Sequence, residues 1–222
     1  MTTKNNRLGI GISRRTEIYI PHNDETLTFV YLTRGQSTYT EVMEHLTKEK
    51  LLIPTTAQIF SLLDLALQEP NNLYYSEILH EFRYNFLWTS TENLFLTDGS
   101  VIVYDNMNNI HTSKEDLVER LNSGDKTVRF VPPGFKKGRI PISELLEHPY
   151  LIAQVGENMS KTVERIAKNC NNEEANIFCL NKSEVDTKQC TLVDSYCDKL
   201  SISVTYCDNK LDAYVLGIVP KI

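Results

Sequence analysis

Between Pro54 and Gln68 the chain carries a helical run that is apolar on nearly every side: Ala57, Ile59, Phe60, Leu62, Leu63, Leu65, Ala66 and Leu67. A helix with one apolar stripe can lie on a surface, but one that is apolar all round must be covered on more than one face. Any fold open to this chain has to enclose the segment, which is expected at the centre of the core. Thr55 and Gln58 stand at capping-box spacing and mark its start, and Glu69–Pro70–Asn71–Asn72 ends it. The apolar stretch from Ile59 to Leu67 is nine residues long and contains Asp64, so it is too short to span a bilayer.

Strand-forming runs surround this helix. Thr16–Ile20 and Thr26–Leu32, separated by Pro21–Glu25, predict a hairpin or an edge pair. Ser37 or Thr38 caps a helix running to about Lys50, with Val42, Met43 and Leu46 on one face. A third helix, Leu73–Asn85, lines up Tyr75, Ile78, Leu79 and Phe82, with Glu77, His80, Glu81 and Tyr84 outside the stripe. Phe86–Leu96 and Val101–Tyr104 flank Thr97–Asp98–Gly99–Ser100, the best hairpin signal in the chain. Ser113 opens a fourth helix that Gly124 closes, and Val128–Val131 is a short strand broken by Pro132–Pro133–Gly134. Helical patterns return at Ser143–Glu147 and Met159–Lys168. In the tail, Ile177–Leu180 is a candidate strand, and Leu200–Tyr206 and Ala213–Ile218 predict a hairpin around Asp208–Asn209–Lys210.

This order predicts an α+β fold. Its sheet is expected to be mostly antiparallel, formed by N-terminal, central and C-terminal strand pairs packed against a helical middle segment. Its 222 residues read as one domain, 1–222, with a soft boundary near 132–141.

Composition is that of a soluble globular protein, with 41% hydrophobic and 23% charged residues, and a net charge of −6 argues against nucleic acid as a partner. The polar opening Met1–Arg7 leads into no apolar run of signal-peptide length, and the odd cysteine count favours free thiols. The expectation is a cytoplasmic protein without a membrane segment. In that compartment the sequons Asn158–Met159–Ser160 and Asn181–Lys182–Ser183 carry no meaning. Disulfides are expected only if the source is a hyperthermophile.

Three places offer chemistry. Arg129, Lys136, Lys137 and Arg139 surround Pro132–Pro133–Gly134 and Gly138, ahead of a helix, and together suggest an anion or phosphate site, although the loop lacks Walker spacing. All five cysteines fall in the last 53 residues, and Cys179, Cys190, Cys197 and Cys207 could form a four-thiolate zinc site; apart from that zinc no cofactor is expected. Their spacing contains no paired Cys-x-x-Cys knuckle, and buried structural thiols are the simpler reading. The aromatic group Tyr74, Tyr75, Phe82, Tyr84, Phe86 and Trp88 could meet a partner or belong to the core.

No catalytic constellation stands out, and the catalytic residues are unassigned. The default reading is a binding or interaction protein without catalysis, self-associating through a β-edge or an aromatic patch to give a homo-oligomer. The alternatives are an enzyme or binder acting on a phosphorylated or anionic ligand through the loop 129–139, with His111 or His80 as general acid or base, and a zinc-stabilised C-terminal module.

Overall fold

A computed structural model describes residues 17–32, 37–108, 112–170, 173–179, 184–195, 198–211 and 213–221. Among them the chain forms a ten-stranded, mostly antiparallel sheet and seven α-helices, an α+β fold. The order is β1 (Glu17–His22), β2 (Glu25–Leu32), α1 (Tyr39–Lys48), α2 (Thr56–Gln68), α3 (Leu73–Tyr84), β3 (Phe86–Phe95), β4 (Val101–Asp105), α4 (Lys114–Asn122), β5 (Val128–Val131), β6 (Gly138–Pro141), α5 (Ile142–Leu145), α6 (Pro149–Val155), α7 (Ser160–Asn169), β7 (Glu174–Phe178), β8 (Thr187–Asp194), β9 (Ser201–Thr205) and β10 (Ala213–Ile218).

The sheet runs β1-β2-β10-β3-β8-β9-β7-β6, with β4 and β5 attached beside the second half of β3. Alternating side chains divide the core between its two faces. On one, Phe29, Val101, Val103 and Leu216 meet α2, α3, α5, α6 and α7; on the other, Val30, Trp88 and Val215 meet α1, and Ile102 and Tyr104 meet α4. The all-apolar helix α2 lies where its composition requires, with Ile59, Phe60, Leu62, Leu63 and Ala66 at 0% exposure. Its start is the capping box of Thr55 and Gln58, and the same device opens α1 at Thr38 and α4 at Ser113.

Two sequence expectations need correction. β9 and β10 are not a hairpin: β9 lies between β8 and β7, whereas β10 lies between β2 and β3, parallel to β3. The turn residues near Asp208 do close a turn (Asn209 N–H donates to Tyr206 C=O), but the two strands on either side find other partners in the sheet. The central strand β8 is absent from the sequence reading, as are β6 and α6. The expected strand pair before Leu32, by contrast, is present as an antiparallel pair of Glu17–His22 with Glu25–Leu32, with Asn23 turning at φ 52°.

Five consecutive polar residues in β3, Thr89 to Asn93, are buried to 1% exposure or less. Such burial is tolerated only with hydrogen-bond partners. On one face Gln154 Nε2 and Tyr150 Oη, both from α6, donate to Asn93 Oδ1 at 2.6 and 3.0 Å, and Thr56 at the start of α2 meets Thr89 Oγ1 at 3.0 Å. On the opposite face Glu92 accepts from Tyr104 Oη (2.7 Å), Asn106 Nδ2 (3.0 Å) and Lys188 Nζ (2.6 Å). The first group fixes α2 and α6 against the sheet, which sets the walls of the cleft described next.

Candidate functional site

A cleft of about 980 Å³ opens where the start of α2, the strand β5 and the α6 segment converge. Its size is that of a ligand-binding cleft. The α2 side supplies Thr55, Ala57 and Gln58, with His22 and Asn23 from the β1–β2 turn beside them. The opposite side is Glu147, Pro149, Ile152, Val155 and the turn Gly156–Met159. Lys126, Thr127, Arg129 and Phe130 form the third wall, and Asp105 and Met107 close its end.

Each wall is held by local chemistry. Asp125 Oδ1 accepts from the Thr127 amide and hydroxyl, and Asp125 Oδ2 accepts from Arg120 Nε, so the turn entering β5 is rigid. Those bonds, the Thr127 hydroxyl first, hold the Asp125 carboxyl down at about 2. Arg129 Nη2 donates to Asp105 Oδ2 at 2.8 Å, and Asp105 Oδ1 accepts from Thr91 Oγ1 at 2.8 Å, which links the cleft wall to the buried polar strand. Arg129 Nε is shielded from solvent and makes no hydrogen bond. At the start of α6, His148 Nε2 bonds to the Lys136 carbonyl (2.9 Å), while Nδ1 accepts from Leu151 N–H (3.4 Å). That network assigns the neutral Nε2–H tautomer. Burial lowers the His148 pKa from its ordinary value. Burial also lowers that of His22, whose Nδ1 meets Ser61 Oγ at 2.8 Å.

The cleft runs along the edge of β5. Arg129 and Phe130 are neighbours in a strand and so point to opposite faces of the sheet, yet both line the same cleft. β5 pairs with β4 alone among the described strands. Asp105 N–H donates to Thr127 C=O at 3.0 Å, and this bond sets the ladder: Thr127, Arg129 and Val131 direct their backbone groups to β4, while Phe130 directs its N–H and C=O outward. The Phe130 side chain is 49% exposed.

Of the four basic residues singled out in the sequence, Arg129 alone appears in this cleft. Lys136 pairs with Glu144 at 2.8 Å, and Lys137 lies over the rings of Phe135 (5.3 Å) and Phe95 (5.8 Å). Arg139, on β6, helps Lys199 hold the Glu174 carboxyl below its ordinary value. His80 sits on the solvated side of α3 with its ring 4.6 Å from that of Tyr84, and His111 lies outside the described residues. The aromatic group divides: Tyr75, Phe82 and Trp88 are core, whereas Tyr74 and Tyr84 are exposed.

The cysteines form a different arrangement from the four-thiolate cluster that the sequence allows. Cys190 and Cys207 form a disulfide, with Cα atoms 5.7 Å apart, and two bridged sulfurs are not thiolate ligands. Cys179 lies beside Tyr150, its thiol pushed up to about 11 by burial, and Cys197 lies outside the described residues. Cys170 is a buried free thiol, its pKa raised by burial. Among the described residues no group of three His, Cys, Asp or Glu side chains is placed to hold a metal ion.

No protein-family model and no curated protein matches the chain. A solved structure described as "Accommodation of massive sequence variation in Nanoarchaeota by the C-type lectin fold" is similar in fold, with a TM-score of 0.58 over 93% of this chain and 99% of that chain, at 14% identity. The likeness concerns the fold. The Cys190–Cys207 bridge overturns the cytoplasmic expectation and points to an extracellular or secreted protein, because disulfides persist in oxidising compartments. The reason for setting aside the sequon at Asn158, an exposed residue of the cleft rim, goes with it. No helix among the described residues is long and apolar enough to cross a membrane.

Proposed function

We propose that this chain is a binding module that holds its partner in the cleft between α2, β5 and α6. The cleft itself carries the proposal: about 980 Å³, with Phe130, Met107, Ile152 and Val155 as apolar contacts, Lys126 and Arg129 on one wall, and Glu147 and Glu157 on the other. Apolar area supplies affinity and the placed charges supply orientation. The fold likeness is in keeping with this reading, since the neighbour is described as a C-type lectin fold that accommodates sequence variation. The wider anion reading of the loop 129–139 narrows here to Arg129, with Lys126 beside it.

The test is a fragment screen followed by ¹H–¹⁵N NMR. Hits are expected to shift the amides of Arg129, Phe130, Ile152 and Asn158 together, and Ile152→Arg is expected to abolish those shifts. Hits that gather on another surface, or none at all, contradict the proposal.

A further inference from the structure

We infer that the partner enters this cleft as an extended peptide segment that adds a strand to the free edge of β5. The inference rests on the binding reading above and names the kind of partner.

The backbone carries the argument. Phe130 turns its amide and carbonyl away from β4, and neither has a backbone partner among the described residues. An open edge is a template for another strand, and proteins commonly blunt theirs with bulges, prolines or covering segments. Among the described residues β5 is left open beside a cleft of about 980 Å³, and an exposed aromatic side chain marks Phe130. A small ligand would leave these outward groups unmatched, whereas a peptide strand satisfies them and gains main-chain hydrogen bonds as its affinity.

The side chains specify the peptide. Residues directly across a strand pair share a face. The peptide residue next to Arg129 therefore meets a partly exposed guanidinium that spends Nη2 on Asp105. Lys126 adds a second cation on the same wall. An acidic residue fits there. The adjoining peptide residue points the other way, beside Phe130, and fits as an apolar or aromatic side chain. A second copy of this chain fits less well, because pairing β5 with itself gathers Lys126 and Arg129 of both copies on one edge.

The experiment pans a phage-displayed random dodecapeptide library against the full chain and measures selected peptides by calorimetry. Wild type is compared with Phe130→Pro, which deletes the outward amide without touching the β4 ladder, and with Phe130→Ala, which keeps it. Selected peptides are expected to carry an acidic–apolar step and to shift the Arg129 and Phe130 amides. They should weaken about tenfold or more on Phe130→Pro, and less on Phe130→Ala. If Phe130→Pro does not fold, peptides N-methylated at alternate residues make the same test on the wild type, with binding lost in one of the two registers.

Peptides that shift the cleft amides yet bind Phe130→Pro as tightly as wild type overturn the strand addition and leave the cleft reading standing. Peptides that bind on another surface overturn both. A library that yields no binder overturns the strand addition, and fragment hits in the cleft then decide the other reading. A concentration-dependent dimer that protects the Phe130 amide assigns the edge to a second copy and overturns it as well.

Discussion

Arg129 and Asp105 meet at 2.8 Å at the end of the cleft, with side-chain exposures of 24% and 14%. Thr91 donates to the other oxygen of the same carboxylate. This pair joins the free edge strand to the buried centre of the sheet. Asp105→Ala should strand the guanidinium and the Thr91 hydroxyl together, costing about 1–3 kcal/mol in urea denaturation. A loss below about 0.5 kcal/mol would mean that the link is solvated and does not fix the wall.

Glu92 and Lys188 form the second link, 2.6 Å apart, with Glu92 at 1% exposure. Lys188→Met removes the countercharge of a buried carboxylate and should destabilise by about 2–4 kcal/mol. Adding Glu92→Gln to that variant should restore most of the loss, since Asn106 can still donate to the amide oxygen and the Tyr104 hydroxyl can turn to accept from the amide nitrogen. Chemical denaturation of the three variants measures the cycle; two additive losses would show that the pair is not coupled.

His148 makes stability depend on pH. Its folded-state pKa lies below the ordinary 6.5, chiefly because burial disfavours the charged ring, so the unfolded chain takes up the proton first. Stability is therefore full above about pH 6.5 and is lost as pH falls through that value towards the folded pKa. Protonation also costs Nδ1 its bond from Leu151 N–H. His22 shifts in the same direction. His148→Asn keeps a capping side chain without a titrating one and should flatten the decline in melting temperature between pH 7 and 5. An unchanged slope would assign the decline to other groups.

The Cys190–Cys207 bridge closes 17 residues of sequence, and Cys207 C=O also accepts from Tyr39 N–H at the start of α1. Cys190→Ala with Cys207→Ala should cost about 2–4 kcal/mol by calorimetry. Cys190 is fully buried and Cys207 partly so, and reduction should be faster once the chain is unfolded than in the native protein. Equal rates in the two states would mean that the fold does not shield the bridge.

What could be read in the chain was local. The capping boxes at Thr55 and Ser113, the Asp98–Gly99 turn and the apolar helix α2 all follow from neighbours in sequence, and the fold keeps them. β8 was not legible because Thr187–Lys188–Gln189 reads as polar; Lys188 reaches its place through Glu92, far away in the sequence. The pairing of β9 and β10 with other strands is non-local in the same way, and their intervening turn suggested a hairpin. α6 did carry a signal, Pro149 at its first position and Gly156 (φ 83°) after its end. The cleft draws on five separate segments, and of its residues Arg129 alone belongs to a candidate site visible in the sequence. The free edge of β5 is a property of the whole sheet, so no pattern within Val128–Val131 announces it.

The most direct test needs no ligand: residue-resolved amide hydrogen exchange across Val128–Val131. Open-edge geometry predicts fast exchange at Phe130 between slow neighbours at Arg129 and Val131, whose amides pair with β4. A Phe130 amide as protected as that of Val131 would mean that the edge is already covered, and would contradict the account.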